Sequence, residues 1–409
     1  MKKILIKNFP NLNNYGTAMM GLVTIQSLVE NYGRENIQIY CAFDEYAVKE
    51  DIYKELTGVV ELKTYTNNTR FDKIIKNKNL FIRRFGVLYS MFFYNEKKYF
   101  DKIIVLGGDD FSEYYSKYVA SIELYKLWRL SKHTEIVMLG QTIGPFSSVV
   151  NRFVIKCLLP KLNVYSRDPW TAEYFKKHFN IKIEQMRDLA FSPLPLQSNS
   201  KIEKNILSEY SLKKDSYFTV VVSGLFEQGY YCKSEDIYLL RYKEAIQEIL
   251  KLDSLLDKKV VLLAHTFPPY GDESSLIQKL FLMFSEEERG RVIVVKEKIL
   301  PTKARFILGG GLFSITGRMH PAVSTLQMGN PSIMLAYSVK YEGVIGMSLN
   351  RSDLIIDANI PELWMSGEIV SLIKEKAIYV LNNYSKIILE INCNMSVITD
   401  MNSNILKKL

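Results

Sequence analysis

Short apolar runs that stop abruptly at polar or glycine-bearing turns recur along this chain, and most lead into a stretch of helical spacing. The first run is Ile4-Leu5-Ile6 within 3–8; a polar loop, 11–16, follows, and then 17–30 carries Met20, Val23, Ile25, Leu28 and Val29 at helical intervals. A second run at 37–40 completes a strand–loop–helix–strand order, the opening of a βαβ unit. The same order recurs with strands expected at 102–106, 135–139 and 163–166. Helices are expected from Tyr118, Ile122, Leu124 and Leu127 and over 170–177, and 186–190 closes this half. It then repeats beyond a Pro-, Ser- and Lys-rich stretch. Strands are expected at 217–223, 259–265, 292–295, 312–316 and 331–335, and helices at 240–252, 302–308 and 321–328, with a long helical tail over 367–389. A chain of 409 residues exceeds one ordinary core. The pattern therefore predicts an α/β protein of two Rossmann-like, doubly wound domains facing each other across a cleft: residues 1–195, a linker at 196–216, and residues 217–409. The halves share architecture without a short sequence repeat.

Composition narrows the function classes. Hydrophobic residues at 47% and charged residues at 24% describe a globular chain. The net charge of +9 favours anionic partners. The lysines are dispersed, and no recognition helix or stacking motif stands out, which argues against nucleic acid. The densest basic clusters, Lys73–Lys78, Arg83-Arg84 and Lys97-Lys98, lie within 70–100 and read first as a solvated face, with a membrane-side contact as the lesser reading. Cys41, Cys157, Cys232 and Cys393 form no close pair. The start of the chain lacks the apolar run of a signal peptide, and no window offers the ~20 apolar residues of a membrane span. A cytoplasmic location, with a place at the inner face of the membrane as an added option, is the expectation. Neither the dinucleotide fingerprint nor the Gly-x-x-x-x-Gly-Lys-Ser/Thr loop occurs.

Ligands of doubly wound sheets bind beyond the carboxyl ends of strands, and the polar motifs of this chain sit there. Gly317-Arg318-Met319-His320-Pro321 follows a buried strand and opens a helix. Arg318 offers a bidentate grip on a carboxylate or phosphate, and His320 exchanges protons near neutral pH. Lys340 lies past the next strand and reads as a second phosphate contact or as an exposed loop lysine, with Glu342 to orient it or to bind a sugar hydroxyl. Gly107-Gly108-Asp109-Asp110 combines close backbone approach with carboxylates that would bind hydroxyls, act as a base or cap a helix. Asn14-Tyr15-Gly16-Thr17 reads as a helix cap or a ligand contact. Arg167-Asp168 reads as an anion contact from the opposing side or as a structural pair. His265-Thr266 is a weaker strand-end site, while His133 and His178 read as surface residues. No metal-ligand spacing is present.

Taken in order, Gly107-Gly108-Asp109-Asp110, the 140–146 motif Gly-Gln-Thr-Ile-Gly-Pro-Phe, Ser166-Arg167-Asp168, Arg318-Met319-His320 and the stretch 331–340 resemble the polysaccharide pyruvyl transferase family. The resemblance covers most of the chain. It implies two domains similar to GT-B glycosyltransferases and no metal or other cofactor. It also implies phosphoenolpyruvate as donor and a pyruvate ketal on a sugar as product, with phosphate released. The acceptor is expected to be a lipid-linked or oligosaccharide precursor of capsule, exopolysaccharide or other cell-envelope polymer. Carried onto this chain, Arg167, Arg318 and Lys340 would hold phosphoenolpyruvate, with Arg318 and His320 catalytic. Asn14, Tyr15, Gly16, Asp109, Asp110 and Gln141 would face the acceptor. Many members read Gly-Gly-Gly where this chain has Gly108-Asp109-Asp110, which bears on the acceptor sugar. The alternatives are a GT-B glycosyltransferase using a nucleotide sugar and a non-catalytic sugar-binding relative.

Overall fold

Each of the ten apolar runs read as strands forms a parallel strand in the computed structural model, which describes residues 1–58, 60–65, 99–109, 111–113 and 119–409. Seven strands, β1 (Lys2–Lys7), β2 (Ile37–Cys41), β3 (Leu62–Thr64), β4 (Lys102–Leu106), β5 (Glu135–Gln141), β6 (Asn163–Ser166) and β7 (Glu184–Gln185), make the first sheet, in the order β3-β2-β1-β4-β5-β6-β7. Six more, β8 (Tyr217–Val221), β9 (Lys259–Leu263), β10 (Val292–Val295), β11 (Ser314–Thr316), β12 (Ser332–Ala336) and β13 (Ile355–Asp357), make the second, in the order β10-β9-β8-β11-β12-β13. Every residue of β4, β8 and β12 is buried, because helices cover both faces of a parallel sheet. In each sheet the chain reverses direction beside its first strand, at β1/β4 and at β8/β11. Those reversals splay the following loops apart and open a crevice at the carboxyl edge. The sequence pattern missed β3, β7 and β13, each two or three residues long and each at a sheet edge, too short to show a period.

Three helical features depart from expectation. The stretch 196–216, read as a linker, contains the helix Ser200–Glu209, whose Ile206 and Leu207 are buried against the Pro301–Gly310 helix. The tail is not one helix over 367–389 but three, Pro361–Ser366, Glu368–Asn382 and Tyr384–Leu406. The last returns to the first half. Its buried Asn402 accepts from the Arg187 N–H at 2.9 Å and donates to the Asp188 carbonyl at 3.3 Å. The helix after β11 begins at Met319 rather than Pro321. No helix among the described residues is long and apolar enough to cross a membrane.

Candidate active site

A cleft of about 440 Å³ lies between the carboxyl edges of the two sheets. Asn14, Gly107, Gly108, Asp109 and Arg167 line it from the first half, and His265, Thr266, Arg318, His320 and Lys340 from the second.

The halves are joined beside it. Tyr15, fully buried, donates its hydroxyl to the Ile299 carbonyl at 2.7 Å and accepts from the Ile299 N–H at 2.9 Å. Its ring meets that of His265 edge to face, 5.0 Å between centroids. The expectation that Tyr15 faces an acceptor is thus corrected: both hydrogen-bonding capacities of its hydroxyl serve the junction. Asn14 lines the cleft and caps the helix Tyr15–Tyr32, its side-chain oxygen accepting from the Gly16 N–H at 3.1 Å. Gly16 is required by a neighbour. A Cβ there would lie 2.2 Å from Nδ1 of His320, so the imidazole packs directly on its backbone.

On the second half, Arg318 leaves β11 in extended conformation and His320 stands in the first turn of the helix Met319–Gln327. Nε of Arg318 donates to Glu273 at 2.6 Å. The same carboxylate, fully buried, accepts the backbone N–H groups of His265 and Thr266 at 3.0 Å each. One acid therefore fixes both the guanidinium and the end of β9. Burial opposes the Arg318 charge, but Glu273 outweighs it and raises the guanidinium pKa. Nη2 of Arg318 has no hydrogen-bond partner among the described residues. That leaves a desolvated, charged donor in the wall of an open cleft, a strong site for an anion. His265 is buried, and burial, with the nearby His320 and Arg318 charges, pushes its pKa well below the ordinary value. It is a neutral imidazole whose Nε2 also lacks a partner.

His320 reaches toward the first half. Its Nε2 lies 3.6 Å from Oδ2 of Asp188, longer than a hydrogen bond, and has no hydrogen-bond partner among the described residues. Asp188 is fully buried, yet contacts with His320, Arg167 and the Ala190 N–H outweigh desolvation and hold its carboxyl well below the usual range. Arg167 is 2% exposed and pairs with this acid at 2.9 Å. The neighbour Asp168 instead caps the helix Pro169–Phe179 at the Thr171 N–H, 2.7 Å, and accepts the Thr142 hydroxyl at the same distance. Arg167 thus lines the cleft with its charge already matched. Arg305, unremarked in sequence, ties down the turn carrying Asp188 by donating to the carbonyls of Ala190 (2.6 Å) and Ser192 (3.0 Å).

Lys340 crosses the cleft, its Nζ 3.6 Å from Asp109 and 4.6 Å from the centre of the Tyr337 ring. Glu342 does not orient it, since that carboxylate accepts the Ser352 hydroxyl at 2.5 Å instead. Gln141 is corrected as well. It is fully buried and donates to the carbonyls of Val105 and Leu139, so it braces β4 and β5 beneath the cleft. Asp110 lies outside the described residues, as does the basic stretch 70–98. His133 and His178 are exposed. Glu273 and Asp188 were missed because each acts on a residue remote in sequence; their only local signals are acids at the start of a helix and after a short strand. Among the described residues, no group of three or more His, Cys, Asp and Glu is placed to hold a metal ion.

Twin parallel α/β domains with a basic cleft at their facing carboxyl edges define a protein of GT-B-like architecture. Solved structures share it at low sequence identity. UDP-GlcNAc 2-epimerase from Neisseria meningitidis bound to UDP-GlcNAc is similar with TM-score 0.61, 11% identity, 100% of this chain and 99% of that one covered. The S. aureus MnaA–UDP co-structure gives TM-score 0.59 and 10% identity over 96% and 91%. The N-terminal domain of Candida albicans trehalose-6-phosphate phosphatase gives 0.53 and 8% over 99% and 96%. These likenesses establish the fold. No curated protein matches the sequence. The profile of the polysaccharide pyruvyl transferase family matches residues 29–339, and the chain belongs to that family. It is accordingly a transferase enzyme of polysaccharide synthesis.

Proposed function

We propose that this enzyme transfers the pyruvyl group of phosphoenolpyruvate to two hydroxyls of one sugar in a surface-polysaccharide precursor, forming a ketal and releasing phosphate. The observation that carries the reading is the pairing, at one strand end, of an unpartnered buried guanidinium nitrogen on Arg318 with the imidazole of His320. Arg318 and Lys340 supply two cations for a donor bearing a carboxylate and a phosphate. In the reaction one sugar oxygen bonds to the central carbon of the donor and a proton goes to its methylene, making a methyl group. The second oxygen then displaces phosphate from that carbon, and each hydroxyl loses its proton. His320 delivers or removes one of these protons, its Nε2 standing 3.6 Å from Oδ2 of Asp188. Asn14, Gly16, Asp109 and Arg167 bring the first half to the cleft, which we assign to the acceptor, and the second half to the donor. The chemistry assigned here uses no metal or other cofactor. The acceptor is a lipid-linked or oligosaccharide precursor met in the cytoplasm, at the inner face of the membrane.

The test is incubation with phosphoenolpyruvate and envelope-glycan precursors, followed by mass spectrometry of the glycan and assay of free phosphate. A pyruvyl gain matched by phosphate is expected. Release of phosphate without sugar modification, or neither, would overturn the reading. A nucleotide-sugar donor is the second reading, favoured by a fold shared with proteins solved with UDP-GlcNAc and UDP. Thermal stabilisation by UDP-GlcNAc and not by phosphoenolpyruvate would decide for it.

A further inference from the structure

The helix Val149–Leu158 exposes an apolar tip that packing does not account for. Val149, Val150 and Phe153 are 81%, 58% and 69% exposed, and no other five-residue window among the described residues holds three exposed large apolar side chains. The opposite face is fully used: Ile155 is buried, and Asn151 accepts from the Ser121 hydroxyl at 2.6 Å and donates to Glu113 at 2.5 Å. The helix contains Arg152 and Lys156 and no acid. Exposed Lys161 follows it. Arg152 lies 5.0 Å from the ring of Phe179, which sets the end of the helix Pro169–Phe179, with exposed Lys176 and Lys177, alongside; Glu173, one turn back, is the acid of that helix. Glu113 is occupied by the Ser147 and Ser148 N–H groups and Asn151.

We propose that this helix docks the enzyme on an anionic bilayer surface, with Val149, Val150 and Phe153 entering the interface and Arg152 and Lys156 contacting lipid phosphates. Apolar tips ringed by cations are the pattern of an interfacial helix. Each cation near an anionic leaflet adds on the order of five-fold in partition, so Arg152 and Lys156 together add about 25-fold. A second copy is a poor occupant, because two-fold pairing of this patch would set Arg152 and Lys156 against their own counterparts. The helix begins shortly after β5, whose neighbours β4 and β6 both end at the cleft, so docking holds the cleft edge toward the lipid. The proposal rests on and deepens the membrane-side reading above and assigns the contact to the helix Val149–Leu158; its test does not involve the transfer reaction.

The full chain is sedimented with vesicles of phosphatidylcholine alone and of phosphatidylcholine with phosphatidylglycerol, at low and high salt. Binding to the anionic vesicles that weakens with salt is expected. The variant Val149→Asp with Phe153→Asp is expected to lose at least ten-fold in binding while keeping the wild-type melting temperature, since both positions are exposed. Three results would each overturn the proposal. One is no binding by the wild type, as a protein partner for the patch would give. Another is undiminished binding by the variant, which would return the contact to 70–100. The third is concentration-dependent self-association in sedimentation velocity that the variant abolishes.

Discussion

Replacing Gly16 by alanine puts a methyl carbon 2.2 Å from Nδ1 and 2.3 Å from Cγ of His320, against the 3.4 Å at which ordinary contact begins. Because the nearest atoms belong to a ring and not to the end of a flexible chain, the imidazole has to retreat by about 1 Å or more. A displacement of that size at a reacting group costs roughly 10²-fold in rate, or ~2.7 kcal/mol of barrier. Stability behaves differently. Gly16 sits in the first turn of the helix Tyr15–Tyr32, where alanine gains up to ~1 kcal/mol of propensity, against ~1–3 kcal/mol of overpacking. The grip on the donor is untouched, because Arg318 is held by Glu273 within the second half. Gly16→Ala should therefore fold, bind phosphoenolpyruvate within about three-fold of wild type, and transfer ~100-fold more slowly. The measurements are phosphate release under saturating donor, calorimetric titration of phosphoenolpyruvate, and a melting curve. A folded variant with wild-type turnover would refute both the packing argument and the role given to His320. A loss of donor binding equal to the loss of rate would refute the separation of grip from proton transfer.

Glu273→Gln leaves one amide oxygen for three donors and takes the charge partner from Arg318; it should cost on the order of 3 kcal/mol in urea unfolding and at least ten-fold in phosphoenolpyruvate affinity, and a variant matching wild type in both would show that Glu273 positions nothing. Glu55 is buried where it accepts the Thr302 N–H and hydroxyl from the other half, and burial pushes its pKa from 4.5 to about 7. A raised carboxyl pKa stabilises the fold below pH 4.5, and that contribution is lost as pH rises to 7; it amounts to roughly 3 kcal/mol. Unfolding at pH 4.5 and 7.5 should show this slope in wild type relative to Glu55→Gln, and parallel profiles would count against it. Asp188 is depressed, so its contribution is present above the usual carboxylate range and lost as pH falls through it. Asp188→Asn should lose ~3–5 kcal/mol at pH 7 and converge on wild type in acid, and an equal deficit at pH 2 would contradict the assignment.

How much of this was legible in the sequence depended on the range of the interaction. Ile4-Leu5-Ile6 and 103–106 announce buried strands because the centre of a parallel strand covered on both faces is apolar on both. Arg318, His320 and Lys340 were legible for a related reason, since a strand end is a local signal and strand ends of such sheets face the ligand. Tyr15 opens the helix that follows β1 and Gln141 ends β5, and there the rule misled. What they contact, Ile299 and Val105, is brought to them by the other half and by the neighbouring strand, and no spacing records that. Asp188 for Arg167, in place of adjacent Asp168, fails to show for the same reason: Asp168 is spent on the helix that it begins.

The two groups proposed for the chemistry differ in what they need. Arg318 is fixed by Glu273, and both belong to the second half, so this part of the anion grip needs that half alone. His320 is carried by the same strand end, but its ring rests on Gly16 and faces Asp188, both of the first half. Its orientation exists only while the two carboxyl edges are together, held by the bolt of Tyr15 on Ile299 and by the contact of Glu55 with Thr302. A separation of the halves would leave a donor bound but no proton group aligned with it. That order suits an enol phosphate, because closing the acceptor side over it excludes water from the central carbon in the same step that aligns the proton group.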